Sequence, residues 1–440
     1  MDFLDLKTIW FSKEEFKRRK NVEELLKIYS NDWADILKYE IVSLFTDKEE
    51  ASKLCSRADI SLNILRWAVD TLSSIYSKRV HRSLLINGEP AEVDGINSAQ
   101  LDMALDQAAK MMFLCREVFV RPYWEDEKIV VDICTPDKVA VVLDSKNHRK
   151  MAAIAIKTNK TTIHVWTEEM LFILDSQWNL KSEEINEYGI IPWVDCHANY
   201  PLHRFFNDRE SEGLKRATIQ AGVAKTDYNH LRHIQSFKQL HISGASREEQ
   251  KTLKLGPSDA LMLQDPNADI GVLDLQANLS EHLESLLSSV AATLNLYGIR
   301  PEQVRGTLNA SSGYALEIQM HETEKEWQHQ RQMWRFYEQR IYKVASMIRE
   351  RQRFVSLPEG DLEIDFPDIG PTSNPQDEID YYIKNVNNGL MSKSTAMKRH
   401  HGYTEEEAQA EIQRIKDEQN AFSPMGADIF NTGGGGNGLA

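Results

Sequence analysis

The stretch that decides the fold is MHETEKEWQHQRQMWRFYEQRIYKVASMI, residues 320–348. A strict seven-residue spacing separates five of its apolar residues: Met320, Trp327, Trp334, Ile341 and Ile348. This spacing returns apolar side chains to one face of a helix. We predict a very long helix that begins near Gly313, and its roughly 40 residues would extend about 60 Å. Two tryptophans in the stripe favour packing against a broad surface over a narrow two-stranded seam.

Upstream of this helix the spacing of apolar residues changes twice along the chain. Residues 1 to about 115 read as helices, with an apolar residue every three or four positions around 63–75. Short β-branched runs from Glu117 to Asp175 predict a mostly antiparallel sheet, and a further extended stretch, Tyr188–Val194, ends it near 194. A short strand at 362–366 and three short C-terminal helices complete the pattern. The predicted fold class is α+β and mainly helical.

Between the sheet and the long helix, the sequence predicts a helical hairpin with an insert. A helix runs from about Asp208 to Gln239, and a turn-rich module follows over His241–Gln276. A second helix returns, with apolar residues spaced by three or four positions: Leu279, Leu283, Leu286, Val290, Leu294 and Tyr297. Its other face is small and weakly polar, which suits close helix packing or a smooth wall.

The amino-acid composition disfavours several classes of protein. The 440 residues include 52 Lys and Arg against 67 Asp and Glu, which gives a formal charge of −15. A general nucleic-acid coat is therefore disfavoured, because such proteins carry basic surfaces. The four cysteines lie far apart, no apolar run approaches the roughly 18 residues of a membrane span, and the N-terminus is unlike a secretory signal. We expect a soluble intracellular product with no membrane partner.

A search for catalytic chemistry finds little. The chain has no P-loop motif, and its glycine-rich tail lacks the strand and helix that a dinucleotide site needs. His230 and His233 are three residues apart on a predicted helix, but no third metal ligand has a suitable spacing. We therefore predict no catalytic residue, no cofactor and no metal site, and expect that the protein is not an enzyme.

Charge is segregated along the predicted hairpin. Eight basic and three acidic residues lie between Lys215 and Lys254, whereas Leu255–Tyr297 has six acids and no Lys or Arg. Three interpretations stay open: ordinary surface scatter, pairing of the opposite halves within a hairpin or between neighbours in an assembly, and a basic strip that faces a polyanion.

The order of these features resembles that of tailed-bacteriophage portal proteins. The resemblance rests on YGIIPWV (188–194), a helix opening near Asp208, LYGIRPEQVRGTLNASSGYAL (296–316) and DYYIKNVNNGLMSKSTAMKRHHGYTEEEAQAEIQRIKDE (380–418), with the early helix at 63–74. It covers most of the chain as an ordered set of features rather than as one diagnostic motif.

The resemblance implies a portal-type subunit with wing, stem, clip and crown regions. On that plan the chain divides into the wing (1–207, with the sheet at 117–194), stem helix 1 (208–240), the clip (241–276), stem helix 2 (277–297), a tunnel loop (298–312), the long wing helix and strand (313–375), the crown (376–425) and a flexible glycine-rich tail (426–440).

The resemblance also implies a function and partners. Portal proteins form a ring, usually dodecameric, at one capsid vertex of the virion. The ring is the conduit for double-stranded DNA during packaging and ejection. It docks the terminase large subunit and later the head-tail adaptors, and it meets major capsid or scaffold proteins. A product of this kind would be made in the host cytoplasm.

Candidate residues follow from combining this plan with the charges. Arg300, Arg305 and Asn309 would be DNA-facing residues of the tunnel loop, where a few cations could centre a duplex that net acidity otherwise repels. Stem-channel or inter-subunit contacts are predicted at Lys225, Arg232, Lys238, Glu281 and Glu284. Partner docking by the clip is predicted at Arg247, Lys251 and Lys254.

Two alternatives remain at this level. One is a non-portal helical adaptor or scaffold protein, which would form a different oligomer without a central channel. The other is a metal-dependent hydrolase built around His230 and His233.

Overall fold

The computed structural model contains a mixed helical and β-sheet chain. The residues that it describes are 3–91, 93, 95–147, 149–199, 205–207, 211–236, 239–243, 269–273, 278–299, 313–353, 358, 360–367, 375–401, 403 and 405–421. No helix within these ranges is long and apolar enough to cross a membrane.

The helices are α1 (Phe3–Trp10), α2 (Lys13–Tyr29), α3 (Ala34–Leu44), α4 (Lys48–Cys55), α5 (Ile64–Leu72), α6 (Ala99–Cys115), α7 (Glu212–Ser236), α8 (Leu279–Leu296), α9 (Gly313–Arg353), α10 (Pro375–Asn387), α11 (Lys393–His401) and α12 (Glu405–Ala421). The strands are β1 (His81–Ile86), β2 (Glu89–Ala91), β3 (Glu117–Glu125), β4 (Lys128–Cys134), β5 (Val139–Leu143), β6 (Met151–Lys157), β7 (Thr162–Trp166), β8 (Met170–Asp175), β9 (Leu180–Ile185), β10 (Val194–His197), β11 (Gln239–Ser243), β12 (Asp269–Leu273) and β13 (Asp361–Asp365).

The long helix α9 is confirmed, and it packs against β3, β10, β13 and α5, as the broad-surface prediction requires. Trp334 is 0 % exposed and makes an edge contact with the ring of Tyr76, 5.6 Å between centroids. The indole N–H of Trp124 donates a 2.8 Å hydrogen bond to the Ala345 carbonyl, which attaches β3 to the helix. Trp327, Trp334, Ile341 and Ile348 of the seven-residue stripe therefore lie in the main core, together with buried residues of α2, α3, α5 and α6. The side chain of Met320 lies outside the described part of the chain.

The β region forms two sheets instead of the single sheet predicted for 117–194. One has the order β10-β3-β4 and the other β5-β6-β7-β8-β9, and every pair is antiparallel. Strand β9 was not predicted, because its LKSEEI sequence is polar and mostly exposed.

The extended stretch predicted at Tyr188–Val194 is wrong except at its last residue. The Asn186 amide holds a turn there, since its Nδ2 donates to the carbonyls of Thr167 and Ile190, both at 2.7 Å. Gly189 has a φ of +63°, which glycine adopts without strain. The strand therefore begins only at Val194.

A second correction concerns residues 1–115, which are not all helical. Strand β1 pairs with β2 on one side and with β13 on the other, where Leu84 lies opposite Leu362. Asn87 and Gly88, at φ 54° and 86°, form the tight turn between β1 and β2. That Asn-Gly pair is a local hairpin signal, whereas the pairing with β13 depends on residues far along the chain.

A buried charge network links β1, α6 and α9. The Arg82 guanidinium contacts the carboxylates of Glu338 and, at 2.7 Å, of Asp102, and the Tyr76 hydroxyl donates to Glu338 at 2.6 Å. Burial alone would lower the pKa of Arg82, but the Glu338 and Asp102 charges outweigh it and raise that pKa. The guanidinium is therefore a fixed cation that holds three distant segments together.

The three predicted C-terminal helices are present as α10, α11 and α12. Ser392 caps α11 as expected, because its Oγ accepts the Thr395 backbone N–H at 3.0 Å. The Glu405 carboxylate joins α12 to α11 by accepting from the Ser394 hydroxyl at 2.8 Å and from the Lys398 ammonium at 3.1 Å.

Candidate functional site

The candidate site is the helical hairpin of α7 and α8, which pack against each other in antiparallel directions, with Tyr297 beside Gly213. Strands β11 and β12 continue the two helices as an antiparallel pair, with Gln239 opposite Leu273. The boundary predicted for stem helix 1, at 240, is therefore too late, because β11 already begins at 239. The seam of α8 against the rest of the protein consists of Leu286, Val290 and Leu294.

Helix α7 is fixed to the N-terminal helices by its small and hydroxyl residues. A Cβ on Gly222 would lie 2.8 Å from the Trp33 ring, so only glycine permits this approach. The Thr218 hydroxyl accepts the Leu65 backbone N–H at 2.9 Å, and the Thr226 hydroxyl accepts that of Asp59 at 3.0 Å. One side of α7 is thus packed into the main core, where Leu214 and Ala221 are buried.

Three of the four Lys and Arg side chains of α7 have acid partners in the same chain. Lys225 lies 3.7 Å from the Asp59 carboxylate and donates to the Ser61 hydroxyl at 2.5 Å. Burial alone would raise the pKa of Asp59, but hydrogen bonds from Ser61 and the Lys225 charge keep it below its ordinary value.

Two further cations of α7 have acid partners in α2 and α7. Lys215 contacts Glu24 at 3.2 Å and Glu212 at 3.3 Å, and Arg216 contacts Glu212 at 3.4 Å. Lys225, Lys215 and Arg216 therefore do not pair across the hairpin with α8, and Arg232 lies at the exposed end of α7.

The outward face of α8 is acidic and small. Glu281 and Glu284 are exposed there, beside Ser288 and Asn295, and the 278–299 segment has no Lys or Arg. The side chain of Asn278 caps the helix by accepting the Glu281 backbone N–H at 3.3 Å.

A groove of about 760 Å³ runs along α7 between α8 and the α3–α4 corner. Its floor is one face of α7, which includes three alanines, and its walls come from the flanking elements. The lining residues are Phe45, Lys53, Leu54, Ile64, Ala217, Gln220, Ala221, Ala224, Asp227, Tyr228, His230, Leu231, His282, Ser285, Leu286, Ser289, Val290 and Thr293. Sequence reasoning missed this groove, although the spacing of Ala217, Ala221 and Ala224 was a usable signal for a close-packing face.

One end of the groove holds three titratable groups. Burial raises the pKa of Asp227, against the opposing effect of the imidazoles of His230 and His282. His230 Nδ1 lies 3.1 Å from the guanidinium of Arg57, a cation that makes a poor neighbour for a bound metal ion. Among the residues that the structure describes, no group of three or more His, Cys, Asp or Glu side chains could hold a metal ion.

Several predicted site residues lie outside the described ranges. They are Lys238 of stem helix 1, the clip residues Arg247, Lys251 and Lys254, and the tunnel-loop residues Arg300, Arg305 and Asn309. The described part of the predicted site is therefore Lys225, Arg232, Glu281 and Glu284, which the structure places on the one hairpin.

Comparisons with known proteins point to one family. The model of the family described as "Phage portal protein, SPP1 Gp6-like" matches residues 10–424. None of the curated proteins compared with the chain matches it.

Among solved structures, the chain is similar to one in the virion of a native gene transfer agent particle. The two share 11 % identity and a TM-score of 0.45, over 79 % of this chain and 91 % of that one. It is also similar to a chain in the neck of the empty particle, at 10 % identity and a TM-score of 0.42, over 80 % and 93 % of the two chains.

Proposed function

This chain belongs to the SPP1 Gp6-like family of phage portal proteins, and from that membership we propose that it assembles into a twelve-membered ring at one capsid vertex. The observation that carries the proposal is that α8 has partly exposed leucines on its surface. Leu283 and Leu287 are 37 % and 40 % exposed on a helix whose only well-buried residues are Leu286, Val290 and Leu294. Partly exposed leucines on a helix that also carries small polar residues are suited to cover by further copies.

The ring would be the conduit for double-stranded DNA in packaging and ejection. Its acidic composition, repeated in each copy, limits the phosphate contacts that would otherwise strengthen binding and slow passage. The described acids Glu281 and Glu284 lie on the exposed face of α8, where they would repel a duplex in a channel. The proposal for Arg300, Arg305 and Asn309, as transient DNA contacts, rests on the sequence alone.

The insert between β11 and β12 is proposed as the clip that docks partners. Strands β11 and β12 place Ser243 opposite Asp269, so the two residues that flank the 244–268 segment lie side by side. The expected partners are the terminase large subunit and later the head-tail adaptors, with Arg247, Lys251 and Lys254 as contacts. Capsid or scaffold proteins would surround the wing.

Ring formation is tested by native mass spectrometry with negative-stain imaging of the full chain. We expect a particle of twelve times the subunit mass of 50.6 kDa, with a central hole. A monomer, or a closed dimer without a hole, at every concentration examined would favour the helical adaptor or scaffold alternative.

The conduit role is tested separately, by packaging DNA into proheads that contain the Arg300→Glu/Arg305→Glu double variant. Rings should assemble as in the wild type, while nuclease-protected DNA falls severalfold. The matched control is a Lys251→Glu/Lys254→Glu variant, which changes the proposed clip and leaves the tunnel loop intact. It should impair docking of the motor, a step that comes before any DNA enters. Normal genome filling with the first variant would refute the proposed tunnel contacts.

A further inference from the structure

A second groove, here called the α2 groove, has a volume of about 750 Å³ and lies between α2 and the turn that joins β6 to β7. Its lining includes three acids, Glu23, Glu24 and Asp137, and six cations. The cations are Arg19, Lys20, Lys27, Lys138, Lys157 and Lys160. The lining is therefore locally basic, on a chain whose formal charge is −15.

Most of this positive charge is not neutralised by the groove's own acids. Among the described residues, the groove cations without a carboxylate within 4.0 Å include Lys20, Lys138, Lys157 and Lys160. Glu23 pairs with Lys27 at 3.2 Å. Glu24 contacts the Lys215 ammonium at 3.2 Å, and Lys215 does not line this groove. Burial raises the pKa of Asp137, which disfavours the charged form of that carboxyl. Four lysines are thus available to an anionic ligand.

The walls of the α2 groove are held in place by the chain itself. The buried Arg18 guanidinium donates to the carbonyls of Pro136 at 3.0 Å and Val139 at 2.9 Å, which fixes α2 beside the start of β5. In the turn between β6 and β7, the side-chain oxygen of Asn159 accepts the Thr161 backbone N–H at 2.8 Å. The lysines are therefore attached to a preorganised frame, which lowers the entropic cost of binding.

The part of the α2 groove near the start of α2 is aromatic. Phe16 lines it and is 62 % exposed. Trp10 also lines it, and the Arg19 guanidinium lies over the Trp10 ring, 3.7 Å from the centroid. An exposed aromatic side chain beside free cations offers a partner both an apolar contact and ion pairs.

These features favour an acidic polypeptide over double-stranded DNA. The groove has the volume of sites that enclose small ligands, about 300–1,000 Å³, which also suits a few side chains of a peptide. A duplex carries phosphates along its outside and offers no apolar side chain to cover Phe16. An extended peptide can place carboxylates on the lysines and an apolar side chain on Phe16 at the same time.

We propose that the α2 groove binds an extended polypeptide segment that carries several carboxylates and at least one apolar side chain. Lys20, Lys157 and Lys160 pair with the carboxylates, and Phe16 contacts the apolar side chain. No residue of α7 or α8 lines the groove, so the site does not depend on the ring assembly proposed above.

Peptide binding to the full chain tests the site. The probe is a labelled peptide that repeats Asp-Glu-Leu four times, and its binding is followed by fluorescence anisotropy at low salt, where ion pairs are least screened. Lys157→Glu/Lys160→Glu should weaken binding by at least about tenfold, because two attractions become repulsions. Lys20→Glu/Lys138→Glu repeats the test at two fully exposed lysines, should the first variant fail to fold.

The matched control is Lys146→Glu/Lys343→Glu. It makes the same change in net charge at two exposed lysines that do not line the α2 groove. We expect the affinity for the peptide to change by less than about twofold, because these charges are distant from the ligand. An equal loss in the control and the groove variants would show attraction to net charge alone and would overturn the site.

The aromatic contact gives a second readout. A peptide that repeats Asp-Glu-Ser has the same charge without the leucines, and it should bind the wild-type chain severalfold more weakly. Phe16→Ala should weaken binding of the leucine peptide to the level of the serine peptide and leave the latter unchanged. Equal binding of the two peptides to the wild-type chain would overturn the apolar part of the proposal.

Two further outcomes decide between ligands and between proposals. A labelled DNA duplex that binds as tightly as the leucine peptide, and loses affinity in Lys157→Glu/Lys160→Glu, would assign the groove to nucleic acid and overturn the proposal. No measurable binding of the leucine peptide would also overturn it, and would leave the portal ring standing. Absence of rings in native mass spectra would instead overturn the proposed function and leave the groove as a peptide site.

Discussion

The core around α9 and the α7–α8 hairpin differ in how completely the chain covers their apolar residues. Around α9, Trp334 is fully buried and the helix packs on β3, β10 and β13. In the hairpin, α8 buries one narrow seam and exposes leucines on its flank. Trp334 is therefore covered by its own chain, whereas the hairpin has exposed leucines that further copies would cover in the proposed ring. The contrast separates residues that fold the chain from residues that we propose assemble it.

The largest effect that would test this contrast is expected at Trp334. Trp334→Ala should lower the free energy of unfolding by about 3–5 kcal/mol, because it removes buried contacts and leaves a cavity. Phe336→Ala, on the same helix but 60 % exposed, should change it by less than about 0.5 kcal/mol. Urea unfolding of both variants measures the difference, and equal losses would show that α9 does not bury one defined face.

A smaller effect is expected where α9 meets β10. The Tyr337 hydroxyl accepts the His197 backbone N–H at 2.8 Å and donates to its carbonyl at 3.0 Å. Tyr337→Phe leaves both buried backbone groups without this partner, so we expect a loss of about 1–3 kcal/mol. The same urea measurement tests it, and an unchanged midpoint would mean that water replaces the hydroxyl.

In the hairpin, loss of the α8 cap should have a local effect. Asn278→Ala removes the acceptor for the Glu281 backbone N–H and should cost about 1 kcal/mol. Hydrogen exchange should quicken in the first turn of α8 and remain unchanged in α9. Faster exchange throughout α9 and the strands that it packs on would contradict the view that the hairpin opens independently.

The smallest effect is a pH dependence at Asp227. Burial disfavours the ionised carboxylate and so raises the pKa of Asp227 above its ordinary value of 3.8. The stability that the protonated carboxyl contributes is therefore fully present below pH 3.8 and is lost as the pH rises through the raised pKa. Asp227→Asn cannot ionise, so its thermal midpoint should exceed that of the wild type more at pH 7 than at pH 4. The exposed Glu284→Gln should shift the midpoint at neither pH; an equal shift for both variants would refute the role of burial.

The sequence-based predictions succeeded where the signal was local and periodic. The seven-residue stripe of Trp327 and Trp334 predicted α9, and the Ser392 cap marked the start of α11. Predictions failed where structure depends on distant partners. Strand β1 gains its main partner from β13, and β9 is polar on an edge, so neither stands out as an apolar run.

The candidate site was predictable in part for the same reason. The charges of α7 and α8 were visible in the sequence, but their partners were not. Lys225 reaches Asp59 in the loop before α5, a contact that no helical spacing reveals. The groove likewise combines α7 with the α3–α4 corner, which only the tertiary fold brings together.

The most direct test of this account is hydrogen exchange of the full chain, measured on isolated subunits and on assembled rings. The proposed ring predicts that assembly slows exchange in 217–231 and 279–296, the two helices of the hairpin, and leaves 327–348 of the main core unchanged. Unchanged exchange in the hairpin, with new protection confined to the rest of the chain, would contradict the claim that neighbouring copies cover the hairpin surface.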